Sequence, residues 1–206
     1  MRRPPPQRHP FRELARASPA RAAALVFVSA AILFSALLAL PVARQDGRST
    51  ELVDAIFTGV SAVTVTGLTT VDTATHWSVF GEVVILLAIQ TGGLGIVTIA
   101  LLLARAVTRH LGLHTKVFAQ QNIGTSKLGE VGTLLRIVVT TTLVIEGALF
   151  ALLLPPFLLT EEHWWEGAWS ALFYAVSAFN NAGFSIHEGG LAPFDGDLWI
   201  LVKDTK

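Results

Sequence analysis

Two short stretches of the sequence carry residue types that could hold a bare monovalent cation: Thr64, Val65, Thr66, Gly67 and Leu68, and then Asn180, Asn181, Ala182, Gly183 and Phe184. A potassium-type filter strips water from an ion and replaces it with backbone carbonyl oxygens. Its strip must therefore offer successive carbonyls to one axis without bulky side chains in the way. Glycine suits this because it adopts φ values closed to other residues and lets backbone approach a ligand. Taken alone, Thr64 to Leu68 reads as a turn between two helices; a second strip at a matching place turns the reading toward an ion path.

The match comes from laying residues 55–69 (AIFTGVSAVTVTGLT) over residues 171–185 (ALFYAVSAFNNAGFS). Identities fall at Ala55/Ala171, Phe57/Phe173, Val60/Val176, Ser61/Ser177, Ala62/Ala178 and Gly67/Gly183, and Asp72 then meets Glu188 as an acid. A repeated segment marks a repeated structural unit. Here the unit reads helix, half-depth helix, extended strip, helix. Parallel repeats about an axis along the membrane normal are one way to build a transport path.

The elements that must position the strips follow from composition. The chain has 206 residues, 52% hydrophobic and 15% charged, with a mean hydropathy of +0.58, which points to a membrane protein. Residues 22–43 carry no charge, residues 79–107 carry Glu82 and Arg105 near their ends, and residues 134–159 carry Arg136 and Glu146. Each can cross a hydrocarbon core of about 30 Å. The third is expected to stop at Pro155 and Pro156, which lack N–H groups and clash with the preceding turn. A cleaved signal is the other reading of the first run, but its apolar part exceeds the roughly 7–15 residues of such a segment. Residues 50–63 and 163–179 suit helices too short to cross. At membrane depth they are tolerated only if buried in protein or lining a watery cavity.

Charge sorting gives an orientation. Arg2, Arg3, Arg8, Arg12, Arg16 and Arg21 precede the first run against Glu13 alone, which predicts a cytoplasmic N-terminus. After two crossings and a re-entrant dip the chain should be inside again, and there stand Arg105, Arg109, Lys116 and Lys127 against Glu130. The segments assigned outside hold Asp46, Glu51, Asp54, Asp72, Glu161, Glu162, Glu166, Glu188, Asp195 and Asp197 against Arg44 and Arg48. If residues 50–63 crossed fully, the basic loop would lie outside, against the rule. Trp77, Trp164, Trp165, Trp169 and Trp199 also fall on the outer side, as an interfacial belt would place them. The zero net charge gives no reason to expect a nucleic-acid partner. With no cysteine, thiolate nucleophiles, disulfides and Cys-ligated metals are excluded.

The segments SAVTVTGLTTVDT, FGEVVILLAIQTGGLGIVT and AVSAFNNAGFSIH resemble the ion-translocating subunits of the Ktr/Trk/HKT potassium-transporter superfamily. The first repeat begins almost at the N-terminus, so the resemblance is closer to the bacterial KtrB-type subunit. It implies an all-α membrane protein of the cytoplasmic membrane, built from tandem helix–pore-helix–helix repeats, four to a chain around one pore. It also implies a homodimer and a cytosolic nucleotide-binding regulatory subunit. By this resemblance Thr64, Val65, Thr66 and Gly67 and Asn180, Asn181, Ala182 and Gly183 are the filter residues that hold K⁺, with Na⁺ as another transported or coupling ion. Gly67 stands where a serine accompanies sodium preference in some plant relatives, so it favours potassium.

The expected organisation is a basic cytoplasmic segment (1–21), a first repeat (22–107), a cytoplasmic linker (108–130) and a second repeat (131–206) unfinished in its last helix. Residues 197–206 turn polar where a spanning helix would stay apolar, so the sequence reads as a fragment or as one with an altered end. Gln90-Thr91-Gly92-Gly93-Leu94-Gly95 could be mistaken for a phosphate loop, but it follows no strand and suits close helix packing or a kink. His110 and His114 share a helix face but lack an evident third ligand, so an exposed face is the simpler reading. The linker suits anionic headgroups or docking of the regulatory subunit. Glu82 suits the outer interface, and Glu146 suits a pairing with a neighbouring helix or a proton relay. No nucleophile–base pair or metal constellation suggests an enzyme, and no covalent cofactor is expected. Three functions remain: passive K⁺ uptake, a non-conducting membrane fragment, and proton-coupled transport through Glu146.

Overall fold

The computed structural model describes residues 19–111 and 127–190. The basic N-terminal segment, most of the linker with His114, and the tail with Trp199 lie outside them. The described chain is an all-α membrane protein. Its helices are α1 (Pro19–Leu38), α2 (Leu52–Val63), α3 (Thr73–His76), α4 (Val79–Leu111), α5 (Lys127–Thr160) and α6 (Trp164–Phe179), with a 3-10 turn at Pro41–Ala43. Within α4 and α5, the segments Val79–Ala100 and Leu135–Thr160 have mean hydropathies of 2.2 and 2.3 over lengths that cross a bilayer. At 1.5 Å per residue, α2 and α6 reach only about 18 and 24 Å, short of the hydrocarbon thickness.

Three boundaries differ from the sequence expectation. The first apolar helix stops at Leu38 rather than Ala43, because Pro41 starts the 3-10 turn. Helix α4 runs on to Leu111. Helix α5 does not stop at the prolines but continues through Pro155 and Pro156 to Thr160. Proline's fixed φ is compatible with a helix, so the cost is two lost N–H donors and the crowding of each ring against the preceding turn. The turn beyond them is held by tertiary packing. Phe157 is buried and stacks on Tyr174, with ring centroids 5.3 Å apart. The Thr160 hydroxyl donates to the Pro156 carbonyl at 3.1 Å, and the Glu161 amide to that of Phe157 at 3.0 Å.

Helix α4 is the hub. It packs against α1 and α2 on one side and against α5 and α6 on the other, while α1 pairs with α2 and α5 with α6. One core cluster runs through both halves: Leu38, Ala55, Ala62 and Val63, then Val84, Ile85, Ala88 and Ile89 of α4, then Phe173, Val176 and Phe184. Gln90 to Gly95 lie within the unbroken α4, as packing residues rather than a phosphate loop. A side-chain carbon at Gly92 would strike the Val63 carbonyl oxygen, and one at Gly93 the Asn180 side-chain oxygen. Glycine here lets the ends of both short helices reach α4.

Among the described residues, the tryptophans are not all placed as one interfacial belt. Trp164 and Trp165 are exposed, and Trp169 donates through Nε1 to Glu82 at 2.6 Å. Trp77 is 2% exposed and belongs to the core, because α3 and the strand-like bridge between Arg44 and Trp77 tuck it beneath the chain. His76 sits edge-on to Trp77 and within 3.1 Å of the Thr50 hydroxyl.

Burial, then the Arg44 guanidinium, lowers the His76 pKa from its ordinary value, with Asp54 and Asp46 opposing. The folded protein thus binds fewer protons than the unfolded chain below about pH 6.5. This stability is present above that pH and is lost as pH falls toward the depressed value. Thermal unfolding in detergent should show a lower Tm at about pH 5.5 than at about pH 7.5, and His76→Gln should shrink the difference. An equal difference in the variant would assign the pH effect elsewhere.

Candidate ion path

Both short helices end in the same way. At the end of α2, the Val65 amide donates to the Ala62 carbonyl at 3.1 Å and the Thr66 amide to that of Ser61 at 2.9 Å. At the end of α6, the Asn181 amide donates to Ala178 at 3.0 Å and the Ala182 amide to Ser177 at 2.7 Å. These paired bonds, with a left-handed residue between them, form the Schellman closure of a helix C-terminus. The left-handed residues are Val65 (φ 55°) and Asn181 (φ 54°), each preceded by a right-handed cap, Thr64 (φ −85°) and Asn180 (φ −80°). Two residues further on, Gly67 and Gly183 are left-handed again, at φ 75° and 72°. The helix-end carbonyls are therefore taken up by the strips' own N–H groups. The next oxygens along the chain belong to the strips.

The eight candidate residues fall into two neighbouring groups. Thr64 and Thr66 are exposed and joined hydroxyl to hydroxyl at 2.7 Å, while Val65 and Gly67 are half-buried. Asn181 and Gly183 are exposed, Asn180 is half-buried and Ala182 is buried. The strips meet at their glycines: a side-chain carbon on Gly67 would strike the Ala182 carbonyl oxygen, and one on Gly183 would lie 3.5 Å from Gly67 Cα. Beside this contact a cleft of about 320 Å³ is lined by Gly67, Thr69, Asp72, Gly183, Ser185 and His187 among others.

Asn180 has a second role. Its Nδ2 donates to Glu146 Oε1 at 3.2 Å, to Gln90 Oε1 at 3.3 Å and to the Val176 carbonyl at 2.9 Å, while Gln90 Nε2 donates to Glu146 Oε2 at 3.0 Å. Glu146 is 6% exposed. This network ties α4 and α5 to the start of the second strip, so Glu146 pairs across helices as one of its two expected readings had it. Gln90 and Asn180 are separated by 90 positions, and the seating of the Asn180 side chain against Gly93 of α4 brings it to Gln90 on the same helix. Sequence reasoning also missed Tyr174 and Ser177 on α6. Ser177 was visible as a repeat identity, but its bond to the Phe184 carbonyl at 3.0 Å was not. Among the described residues no cluster of His, Cys, Asp and Glu could hold a metal ion.

Comparison with known proteins gives one family. Residues 7–205 match the TrkH profile, described as cation transport protein. The Ktr system potassium uptake protein B of Bacillus subtilis is 37% identical over 92% of the chain, which covers 42% of that relative. The potassium/sodium uptake protein NtpJ of Enterococcus hirae is 33% identical over 91% of the chain and 41% of its own length. The Ktr system potassium uptake protein B of Vibrio alginolyticus is 33% identical over 90% and 40%. The chain thus spans about 40% of the length of these relatives.

The strip geometry predicts unequal effects at two neighbouring positions. A β-branched residue in the left-handed region costs roughly 1–2 kcal/mol, and at Val65, half-buried against the core, relief of that strain offsets the lost packing and the added chain entropy, so Val65→Gly should change stability by less than about 1 kcal/mol. Gly67→Ala should lower it by more than that, through its φ and the collision with Ala182. Thermal unfolding in detergent measures both, and a larger loss in Val65→Gly than in Gly67→Ala would contradict the ranking.

Proposed function

We propose, for a chain that belongs to the TrkH family of cation transport proteins, that it forms part of a potassium path across a cell membrane. K⁺ passes down its electrochemical gradient over the backbone oxygens of Thr64, Val65, Thr66 and Gly67 and of Asn180, Asn181, Ala182 and Gly183. The observation that carries this reading is the equivalence of the two strips. Each follows a half-length helix, each closes it in the same way, and each carries positive-φ residues at matching places, Val65 and Gly67 against Asn181 and Gly183. Positive φ at every second residue turns the backbone so that carbonyls between helix end and glycine can face one side of the chain, which is what a dehydrated cation needs. The named functions of the relatives, potassium uptake for two and potassium/sodium uptake for the third, support the choice of ion.

In this reading residues 22–107 and 131–206 are two helix–pore-helix–helix repeats, residues 108–130 link them in the cytoplasm, and residues 1–21 lie on the inner leaflet. Further units of the same kind complete the wall. Phe173, Val176 and Phe184 of the second repeat are 0%, 6% and 2% exposed where they enter the core shared with the first. Their counterparts Phe57, Val60 and Leu68 are 38%, 41% and 59% exposed. A face used once and left open once is the signature of head-to-tail packing, which closes only as a ring. The complete transporter is a homodimer, and its basic cytoplasmic linker receives a nucleotide-binding regulatory subunit.

A second reading, proton-coupled transport, rests on the buried carboxylate of Glu146. Its partners are the neutral amides of Gln90 and Asn180, which favours a brace over a relay. A third is a non-conducting membrane component.

Purified protein in liposomes discriminates among them. K⁺-selective, gradient-driven flux is expected, and its absence from folded protein favours the non-conducting reading. Gly67→Ser or Gly183→Ser in the product of the whole gene should lower K⁺ over Na⁺ discrimination, by roughly tenfold if about 1.4 kcal/mol of differential binding is lost. Unchanged selectivity in both removes the strip assignment. A pH dependence of uptake abolished by Glu146→Gln would favour the proton-coupled reading.

A further inference from the structure

The two strips have the same backbone but are held differently, and the difference lies on the buried faces of their helices. In the second repeat, Ser177 Oγ donates to the Phe184 carbonyl at 3.0 Å, both residues being buried. One turn earlier, the Tyr174 hydroxyl lies 2.6 Å from Ser185 Oγ and 2.8 Å from His187 Nδ1. His187 Nε2 reaches Glu161 Oε1 at 2.8 Å, which also accepts from the Ser170 hydroxyl at 3.3 Å. Phe157 stacks on both the tyrosine and the histidine rings. The strip and its continuation are thus laced to α6 and to the end of α5.

In the first repeat the equivalent positions are Thr58 and Ser61 of α2, aligned with Tyr174 and Ser177. Both are buried, at 0% and 5% exposure, and neither side-chain oxygen has a hydrogen-bond partner. The sequence makes part of this difference unavoidable: threonine lacks the reach of tyrosine, and Val71 stands where the second repeat has His187. Buried unpaired hydroxyls are uncommon and call for a reason. Here neither hydroxyl reaches the strip: its ties to α2 beyond the Schellman closure run on the exposed side, where the Thr64 hydroxyl donates to the Val60 carbonyl at 2.8 Å and meets that of Thr66 at 2.7 Å.

Resting on the reading of both strips as an ion path, we propose that Tyr174 and Ser177 are positioning residues that support the preference for K⁺ over Na⁺ by bracing the second strip. Because Ser177 turns the Phe184 carbonyl back toward α6, the run of oxygens offered to an ion ends at Gly183. Strip oxygens fixed from behind keep the spacing that suits the larger ion. The first strip has no such brace from Thr58 and Ser61, so its share of the discrimination falls to Gly67 and the backbone around it.

The test uses the product of the whole gene, translated to its natural stop codon, in liposomes, with the K⁺/Na⁺ ratio of uptake affinities as the readout. Tyr174→Phe, which removes a single oxygen, and Ser177→Ala should each lower the ratio roughly fivefold, the scale of one net hydrogen bond, with maximal K⁺ flux little changed. Ser177→Thr, which keeps the hydroxyl, should retain the ratio. Thr58→Val and Ser61→Ala should leave it unaltered. If Ser177→Ala yields too little folded protein, Tyr174→Phe decides. An unchanged ratio in Tyr174→Phe and Ser177→Ala, or an equal fall in the two first-repeat variants, overturns the proposal. Gly183→Ser measured alongside separates the two levels: a fall there with none in Tyr174→Phe and Ser177→Ala removes only the lacing, whereas no fall in either Gly183→Ser or Gly67→Ser removes the ion path on which it rests.

Discussion

A helix that ends leaves carbonyl groups with no partner in a following turn, and everything around the two strips answers to that constraint. The paired bonds at the ends of α2 and α6 return strip N–H groups to helix carbonyls. In doing so they force a left-handed residue into each chain and reverse its direction at a fixed point. The strips cannot begin earlier or later without orphaning a donor. The positive φ of Gly67 and Gly183, their mutual contact and the cleft beside them all follow from where the reversal occurs.

Helix α4 makes the arrangement one body. Its glycines accept the Val63 carbonyl and the Asn180 side chain on adjacent residues, so the end of one short helix and the start of the other strip are gauged against a single rigid rod. Glu146 and Gln90 add a polar clamp beside the second contact. A buried carboxylate costs less when both oxygens accept hydrogen bonds, and amides supply them here without adding a charge.

Much of this was legible in the sequence. The half-length helices were expected over residues 50–63 and 163–179 and occupy Leu52–Val63 and Trp164–Phe179, because apolar runs of that size are bounded by polar turn residues. Asn181 is a residue that tolerates the left-handed region, so its closure could be read locally. Val65 could not, since β-branching argues against that conformation and only its alignment with Asn181 gives it away. The continuation of α5 past two prolines was hidden for a different reason: it depends on Phe157 stacking on Tyr174, from a helix that follows it in sequence. Trp77 was counted toward an interfacial belt, yet it lies in the core, because composition alone cannot distinguish an interfacial indole from one folded beneath its own loop.

Asn180 is at once the cap of α6, the start of the second strip and the donor that engages Gln90 and Glu146. Three residues on three segments therefore share a single proton-donor arrangement, and none can drift by itself. A lineage that loses the acid must re-partner both amides in the same step or trade the trio for an apolar plug. Across distant relatives these three columns should change together or stay fixed together, while the strip beside them varies on its own schedule.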